Sequence, residues 1–326
     1  MPVGQGFFRT FEVVAESTYG VAPATPVAYR FRCMDPLTPN PTQANIPNRI
    51  YRGTRQLGKP FRDVVSGTVQ VTLPLYLDEV GWFLKYALGA PETSGTGPYT
   101  HIFKAGFSGA AVGDIPVGLQ LQIGYTDLST PVYEIWTGCR VSDIVIPFGA
   151  GGPASVQVTF TGNPPTAAYA TSPLDASPTA YTSSPLSMTD ISAFTEGGSS
   201  NTEALGGEIR LTNELDTSQH TVNNSGKHGA MSSGAAVVSG MTRFMFSVQT
   251  LLNKAILGTE SSIGATFTSG TSSMAIDVAE LQYSRTGPKP GGGAGLITEL
   301  PWDAFYGDHA NASALKITLV NSVATY

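Results

Sequence analysis

Charged residues are scarce in this sequence. Asp, Glu, Lys and Arg make up 13% of the 326 residues, about half of the roughly 25% that soluble domains usually carry. Basic residues are also outnumbered, with 18 Lys and Arg against 24 Asp and Glu. The composition argues against a protein that holds nucleic acid by neutralising phosphates, because such a protein needs a basic stripe. It indicates a surface covered largely by other subunits, past which a polyanion moves without sticking.

Cysteine and histidine are too few and too widely spaced to suggest a metal centre. Cys33 and Cys139 are the only cysteines, and the histidines stand at positions 101, 220, 228 and 309. None has the spacing of a Cys-x-x-Cys or His-x-x-x-His ligand pair. Each cysteine lies in an apolar alternating stretch, so we expect buried thiols, with a disulfide left open. We predict no metal and no cofactor.

Signals for enzyme chemistry and for membranes are missing as well. The Gly-rich segments 149–153 and 291–295 neither precede a Lys-Ser/Thr pair nor open a helix, so they do not predict a phosphate cradle. There is no Gly-x-Ser-x-Gly elbow, and scattered carboxylates such as Glu134 and Asp143 select no hydrolytic pair. No apolar run approaches the roughly 20 residues that span a bilayer, and no secretory signal is visible. A non-enzymatic protein that stays in the cytoplasm until it is assembled is expected.

Glycine, proline, serine and threonine are abundant, whereas long helical patterns are absent. The 37 Gly and 23 Pro favour many short strands joined by tight turns, which is typical of the all-β class. Residues 68–75 and 119–125 alternate apolar and polar side chains as half-buried strands do. Between them, Asp78 is expected to cap a short helix that ends at Gly89. We therefore predict an all-β fold with short flanking helices.

The most informative positive feature is an internal repeat. Val-Val-Ser-Gly occurs at residues 64–67 and again at 237–240. Each copy is followed by an alternating stretch, then by a helical run ending Leu-Gly, at Gly89 and Gly258, and then by a Glu. An ordered match of this length predicts one module used twice. We assign residues 1–162 to the first module, 163–206 to a Pro/Ser/Thr-rich linker or surface excursion, and 207–326 to the second module.

Residues 35–63 interrupt the first module. They lose strand periodicity and contain five prolines, and so long an irregular segment in a compact domain is usually functional or disordered. We expect an irregular arm that projects from the sheet. It carries a series of basic side chains, Arg49, Arg52, Arg55, Lys59 and Arg62.

Several segments together resemble the tail tube proteins of long-tailed, non-contractile (siphovirus-type) bacteriophages. The opening Glu-Ser-Thr-Tyr-Gly-Val-Ala-Pro-Ala-Thr-Pro at 16–26 and the strand at Val65-Ser66-Gly67 are similar to theirs. So are the helix end at 87–89, Thr-Gly-Cys-Arg-Val at 137–141, and Gly-Thr-Glu-Ser at 258–261. Leu-Pro-Trp-Asp-Ala-Phe-Tyr at 300–306 and Leu-Lys-Ile at 315–317 complete the match. In order and spacing these segments span most of the chain apart from the linker.

The resemblance implies tail-tube-type β-sandwich or barrel modules whose sheets join those of their neighbours in a ring. Stacked rings would form the conduit for DNA ejection, with the arm docking on the adjacent ring. It implies a virion tail protein assembled in the host cytoplasm, with itself, the tape measure and terminator proteins, and transiting double-stranded DNA as partners. Neither specific DNA binding nor a membrane partner is expected.

Two modules in one chain favour rings of three chains with six modules. Rings of six chains are the alternative if the second copy is a decoration domain. The five basic residues of the arm could meet the acidic excess of residues 163–326, which hold 7 Lys and Arg against 13 Asp and Glu; the competing interpretation is a solvated loop. The alternative function is a carbohydrate-binding or virion decoration β-sandwich, and a β-rich hydrolase is the third.

Overall fold

The computed structural model describes residues 8–51, 53–105, 115–180, 183–247, 249–288, 295–307 and 309–326. Strands dominate them and two short helices accompany the strands, which confirms the predicted class. The first half contains β1 (Arg9–Ala15), β2 (Tyr29–Phe31), β3 (Met34–Asn48), β4 (Gly58–Pro74), α1 (Val80–Leu88), β5 (Glu92–Ser94), β6 (Tyr99–Lys104), β7 (Leu119–Tyr125), β8 (Val132–Gly149) and β9 (Ser155–Asn163).

The elements that follow continue the same pattern of strands around one helix. They are β10 (Ala168–Tyr169), β11 (Thr179–Ala180), a 3-10 turn (Met188–Asp190), β12 (Ile191–Glu196), β13 (Ser199–Ser200), β14 (Ala204–Leu215), β15 (Ser233–Met245), α2 (Thr250–Leu257), β16 (Glu260–Ser269), β17 (Ser272–Tyr283), β18 (Ile297–Ala304) and β19 (Lys316–Asn321). Four of these strands, β10 to β13, lie within residues 163–206. β10, β11 and β12 pair with β8, β2 and β16 respectively, and β13 pairs with β12.

One large antiparallel sheet runs through both halves in the order β3-β4-β9-β8-β14-β15-β18. Its core face follows the alternation of the sequence, since Val69, Val71 and Leu73 are buried. Across the ladder they face Phe160, Val158 and Val156. The opposite face carries polar side chains. Burial of one face fixes the register, because a one-residue slip would expose every core side chain.

Strand β8 belongs to two sheets, because its first part pairs with β7 and its last part with β9 and β14. The change of partner occurs around Gly138, whose φ of 59° is left-handed. A Cβ at Gly138 would lie 2.7 Å from the Tyr19 ring, so both conformation and space require glycine there. The Gly138 N–H donates to Glu16 Oε1 at 2.8 Å, which fixes this corner of the fold.

The two halves contain the same set of antiparallel strand pairs in the same chain order. In the first half these are β1–β2, β1–β7, β3–β4, β4–β9, β7–β8, β8–β9 and β8–β10. In the second half they are β12–β13, β12–β16, β14–β15, β15–β18, β16–β17, β17–β18 and β17–β19. Each helix follows the strand that contains Val-Val-Ser-Gly. Each also ends with a glycine N–H that donates to a lysine carbonyl, Gly89 to Lys85 and Gly258 to Lys254.

The halves are joined by two strand pairs and a shared core. Residues 143–149 of β8 pair continuously with residues 206–212 of β14, and β6 pairs with β19. Leu84 and Leu88 of α1 pack with Ile209 and Leu211 of β14 in the same core. The chain end adds a further contact, because Lys85 Nζ donates to the Tyr326 carbonyl oxygen at 2.7 Å.

The prediction of an irregular segment at residues 35–63 was wrong. The segment is a long β-hairpin, β3–β4, paired from Met34–Thr72 at its base to Asn48–Gly58 near its turn, with three irregularities in register. Its prolines are tolerated because β3 pairs with only one strand among the described residues, and an edge strand can point a missing N–H away from the sheet.

Three local expectations also need correction. Cys139 is buried as predicted, but Cys33 is exposed, since it follows the three-residue strand β2 instead of lying within a longer one; both thiols are free. Asp78 does not cap α1, whose N-cap position is Glu79, without a side-chain cap. β7 is buried on both faces, and the buried Gln122 Nε2 donates to Glu12 Oε2 at 2.6 Å and to the Ser172 hydroxyl at 3.0 Å.

Candidate assembly surfaces

The end of the β3–β4 hairpin exposes a group of large apolar side chains. Ile46 and Phe61 are direct cross-strand partners and both are exposed. Three further exposed apolar residues lie near the turn. We call these five residues the arm patch: Ile46, Ile50, Tyr51, Leu57 and Phe61. Soluble monomers rarely leave a contiguous apolar patch uncovered unless it binds another surface. The sequence interpretation had emphasised the charges of the arm and missed this apolar component.

The predicted basic series lies on the same hairpin. Arg49 follows β3, Arg55 lies in the turn, and Lys59 and Arg62 lie on β4; all four are exposed. Among the described residues these four side chains form no ion pair. Arg52 lies outside the described residues. The hairpin therefore brings cationic and apolar side chains together, the combination that suits docking against an acidic surface with an apolar centre.

The base of the arm is held by a loop of the second half. The Val65 N–H donates to the Gly226 carbonyl at 2.8 Å, and His228 Nε2 lies 3.0 Å from the Ser66 hydroxyl. Beside this contact is a groove of about 590 Å³, lined by Arg62 and Lys227 among others. The loop, residues 216–232, thereby couples the position of the arm to the second half.

Each of the four histidines contacts neighbouring protein groups. His220 and His228 stack with ring centroids 4.2 Å apart. Burial, followed by the charge of His220, lowers the pKa of His228, which favours a neutral ring at neutral pH. His101 lies between Thr93 Oγ1 and the Val323 carbonyl, each at 2.8 Å, and His309 Nδ1 accepts from Asn311 N–H. Across the described ranges no group of three potential metal ligands comes together.

The tryptophans do not form a sugar-binding platform. Trp136 and Trp302 are buried, and the half-buried Trp82 stacks on Tyr86 within α1. A carbohydrate-binding sheet would present such rings to solvent, so this observation counts against the alternative function. Within the described part of the chain no helix is long and apolar enough to cross a membrane.

The polar face of the large sheet continues across both halves. On β4 and β9 it consists of Thr68, Gln70, Thr72, Gln157, Thr159 and Thr161. On β14 and β15 its arginines have carboxylate partners. Arg210 pairs with Asp143 on the neighbouring β8, and Arg243 Nε lies 3.8 Å from Glu299 Oε1 on β18. Burial raises the pKa of Asp143, and its bond to Arg210 opposes this rise. The arginines of β14 and β15 are thus neutralised within the sheet.

A comparison with protein families agrees with these features. The family model described as phage tail tube protein matches residues 10–304, nearly the whole chain. No curated protein matches the sequence. The match confirms the resemblance drawn from the separate segments, and with it a structural protein that associates with itself and with other tail proteins. The chain belongs to the phage tail tube protein family, a non-enzymatic structural component of the virion tail.

Proposed function

We propose that this tail tube subunit assembles into rings that stack into a hollow tube, and that the tube conducts DNA during ejection. The observation that supports this most directly is the β8–β14 ladder. It joins two halves with matching strand pairs into one continuous sheet. A chain that already links two such units edge to edge is suited to linking further copies in the same direction, and a head-to-tail contact must close into a ring or continue as a filament.

Two units per chain favour rings of three chains over rings of six. The matching strand pairs support a second unit that starts at β12, which begins at Ile191, before the boundary at residue 207 expected from sequence. We propose that the first tube unit extends through β10, whose pairing with β8 matches the pairing of β19 with β17, and that the second unit begins at β12. Residues 170–190 would then connect the two units along the surface.

The polar face of the large sheet is the surface that suits the bore. Its Thr and Gln side chains carry no charge, and its arginines on β14 and β15 are paired with carboxylates. Salt-dependent attraction to DNA requires cations that are free to replace counterions. A bore lined in this way would let double-stranded DNA pass without holding it. The tape measure and terminator proteins are proposed as tail partners, and assembly is proposed to occur in the host cytoplasm.

Electron microscopy of the purified protein at rising concentration tests the assembly. We expect rings at low concentration and hollow filaments at high concentration, with a ring mass of three chains by native mass spectrometry. A ring mass of six chains would favour the hexamer. A protein that remains monomeric at all concentrations would contradict the proposal.

The arm patch and the basic series are proposed to dock on the adjacent ring. Tyr51 and Leu57 are exposed, so replacing both with Ser should leave the fold and the ring intact while preventing stacking. The matched control is Val222→Ser, which removes an equally exposed apolar side chain on a different loop. Long tubes formed by the Tyr51/Leu57 variant would exclude a docking role for the turn of the arm.

A further inference from the structure

The contact between the two halves contains a small side-chain motif at the end of α1. Leu84 and Leu88 pack with Ile209 and Leu211 of β14. Asn213, buried at the end of the same contact, donates its Nδ2 to the Ala87 carbonyl at 2.9 Å and to the Val141 carbonyl at 3.2 Å. The amide satisfies a carbonyl that the helix leaves without an internal partner. The last turn of α1 is thus closed by one strand of the other half.

The strand and the helix of this contact each have a counterpart in the other half of the chain. The helix ends match because Leu88-Gly89 and Leu257-Gly258 carry the same N–H to lysine carbonyl bond. The strands match through the two Val-Val-Ser-Gly copies, in which Val65 pairs with Gln43 and Val238 pairs with Leu211.

That strand register sets the remaining equivalences. Counting along the strand from this pair, Pro41 and Gln43 of β3 occupy the positions of Ile209 and Leu211 of β14. Asn45 is two residues beyond Gln43, as Asn213 is two residues beyond Leu211, but an irregularity in the β3–β4 register precedes it and pairs it with Arg62. Only the asparagine is shared by the two halves, because β3 has Pro41 and Gln43 where β14 has Ile209 and Leu211.

These counterparts are uncovered. Leu88 is 4% exposed, whereas Leu257 is 76% exposed and Ile256 is 41% exposed. On the strand side, Pro41, Gln43 and Asn45 are all exposed. The same chain therefore exposes the end of α2 in its second half and strand β3 in its first half. In the interior contact, the equivalents of these two surfaces cover each other.

We infer that β3 of one copy packs over the end of α2 of the next copy, with the Asn45 amide donating to the carbonyl of Ile256 and Leu257 packing on Pro41 and Gln43. The partner is a second copy of this chain. Each copy carries both exposed surfaces, and the α1–β14 contact inside the chain shows how two such surfaces pack together. The inference rests on the proposed function and names the residues of its ring contact.

The prolines of β3 limit how far the interior contact can be repeated. Pro39 and Pro41 replace Gly207 and Ile209, the residues of β14 that stand opposite Phe148 and Ile146 of β8. Proline has no N–H, so β3 cannot offer the full set of ladder donors that β14 offers. Side-chain contacts must then carry much of the specificity. The same prolines hinder pairing with unrelated strands, which an exposed edge otherwise invites.

Cross-linking between engineered cysteines tests the contact directly. Asn45→Cys and Ile256→Cys are combined in a Cys33→Ser background, because Cys33 is the exposed native thiol. With a short bifunctional thiol reagent we expect covalent multimers on a denaturing gel, ending at three chains if the ring is a trimer. Either cysteine alone should give no multimers.

The outcomes separate this inference from the proposed function. Tubes seen by microscopy without covalent multimers would overturn the β3–α2 contact and leave tube formation standing. A wild-type protein that forms no rings would overturn both. A second variant, Leu257→Asp, should raise the concentration needed for half-maximal assembly by roughly tenfold or more with an unchanged unfolding midpoint. Val222→Asp, on an exposed apolar side chain of a different loop, is its control, and equal assembly of the two variants would contradict the inference.

Discussion

The two helices end in related sequences, but their last residues have opposite surroundings. Ala87 and Leu88 are buried beneath β14, whereas Ile256 and Leu257 face solvent. Both helices have a basic residue in the last turn and the same terminal glycine. The difference therefore comes from the neighbour and not from the helix. The end of α1 is covered by a neighbouring strand, whereas the end of α2 has no such cover among the described residues.

The connection between β3 and β4 and the connection between β14 and β15 show a similar contrast. The β14–β15 connection folds back on the first half through residues 216–232, where Gly226 and His228 contact the base of β4. The β3–β4 hairpin instead extends beyond its base with most of the side chains on both strands exposed. One connection joins the halves of a chain, and the other is the segment that we propose to contact another copy. The second half covers the end of α1 in the first half, whereas no described residue covers the end of α2 in the second half.

The largest expected difference is in side-chain truncation at the two helix ends. Leu88→Ala removes a buried side chain from the shared core and should lower the free energy of unfolding by about 3 kcal/mol, since buried Leu→Ala changes cost 2–5 kcal/mol. Leu257→Ala should change it by less than about 0.5 kcal/mol. Urea unfolding of dispersed protein, followed by tryptophan fluorescence, measures both. Equal losses would mean that α2 is covered within the chain and would remove the contrast.

Asn213 and Asn45, at corresponding positions in the two halves, give a smaller but more specific test. Asn213→Ala leaves the carbonyls of Ala87 and Val141 without this donor in a buried site, which should cost about 2 kcal/mol. Asn45→Ala should leave the unfolding free energy of dispersed protein unchanged and weaken assembly. The measurement combines urea unfolding with sedimentation of the assembled protein. Loss of stability in Asn45→Ala would show that its amide already has a partner inside the chain.

The sequence predicted the parts of the fold that have a local signal. The alternation at Val69, Val71 and Leu73 gave the strand, and the repeated Leu-Gly gave both helix ends. The hairpin at residues 35–63 was missed because prolines remove strand periodicity, although an edge strand accepts them. The burial of Gln122 was missed because its partner, Glu12, is distant in sequence. Likewise, no local pattern reveals that Leu88 is covered and Leu257 is not.

The smallest expected effect concerns the buried carboxyl of Glu16 in the first half. Its hydrogen-bond partners among the described residues include no cation. Glu16 accepts hydrogen bonds from the backbone N–H groups of Gly20 and Gly138, whereas Glu196 of the second half pairs with Lys254 at 2.8 Å. Burial raises the pKa of Glu16 from 4.5 to about 7, and those bonds only partly oppose it. The folded state then binds the proton more tightly than the unfolded state. Stability from this group is therefore full below the unfolded pKa and is lost as the pH rises through about 7.

Between pH 6 and 7.5 this loss should amount to about 1 kcal/mol of unfolding free energy. Because His228, with its lowered pKa, titrates in the opposite sense in this range, the informative quantity is the difference between wild type and Glu16→Gln. Glutamine keeps an acceptor for Gly138 but has no proton to exchange, so the variant should lack the Glu16 component of the pH dependence. Parallel stability profiles for the two proteins would mean that Glu16 is ionised throughout, held by the backbone N–H groups, and that the corner at Gly138 is insensitive to pH.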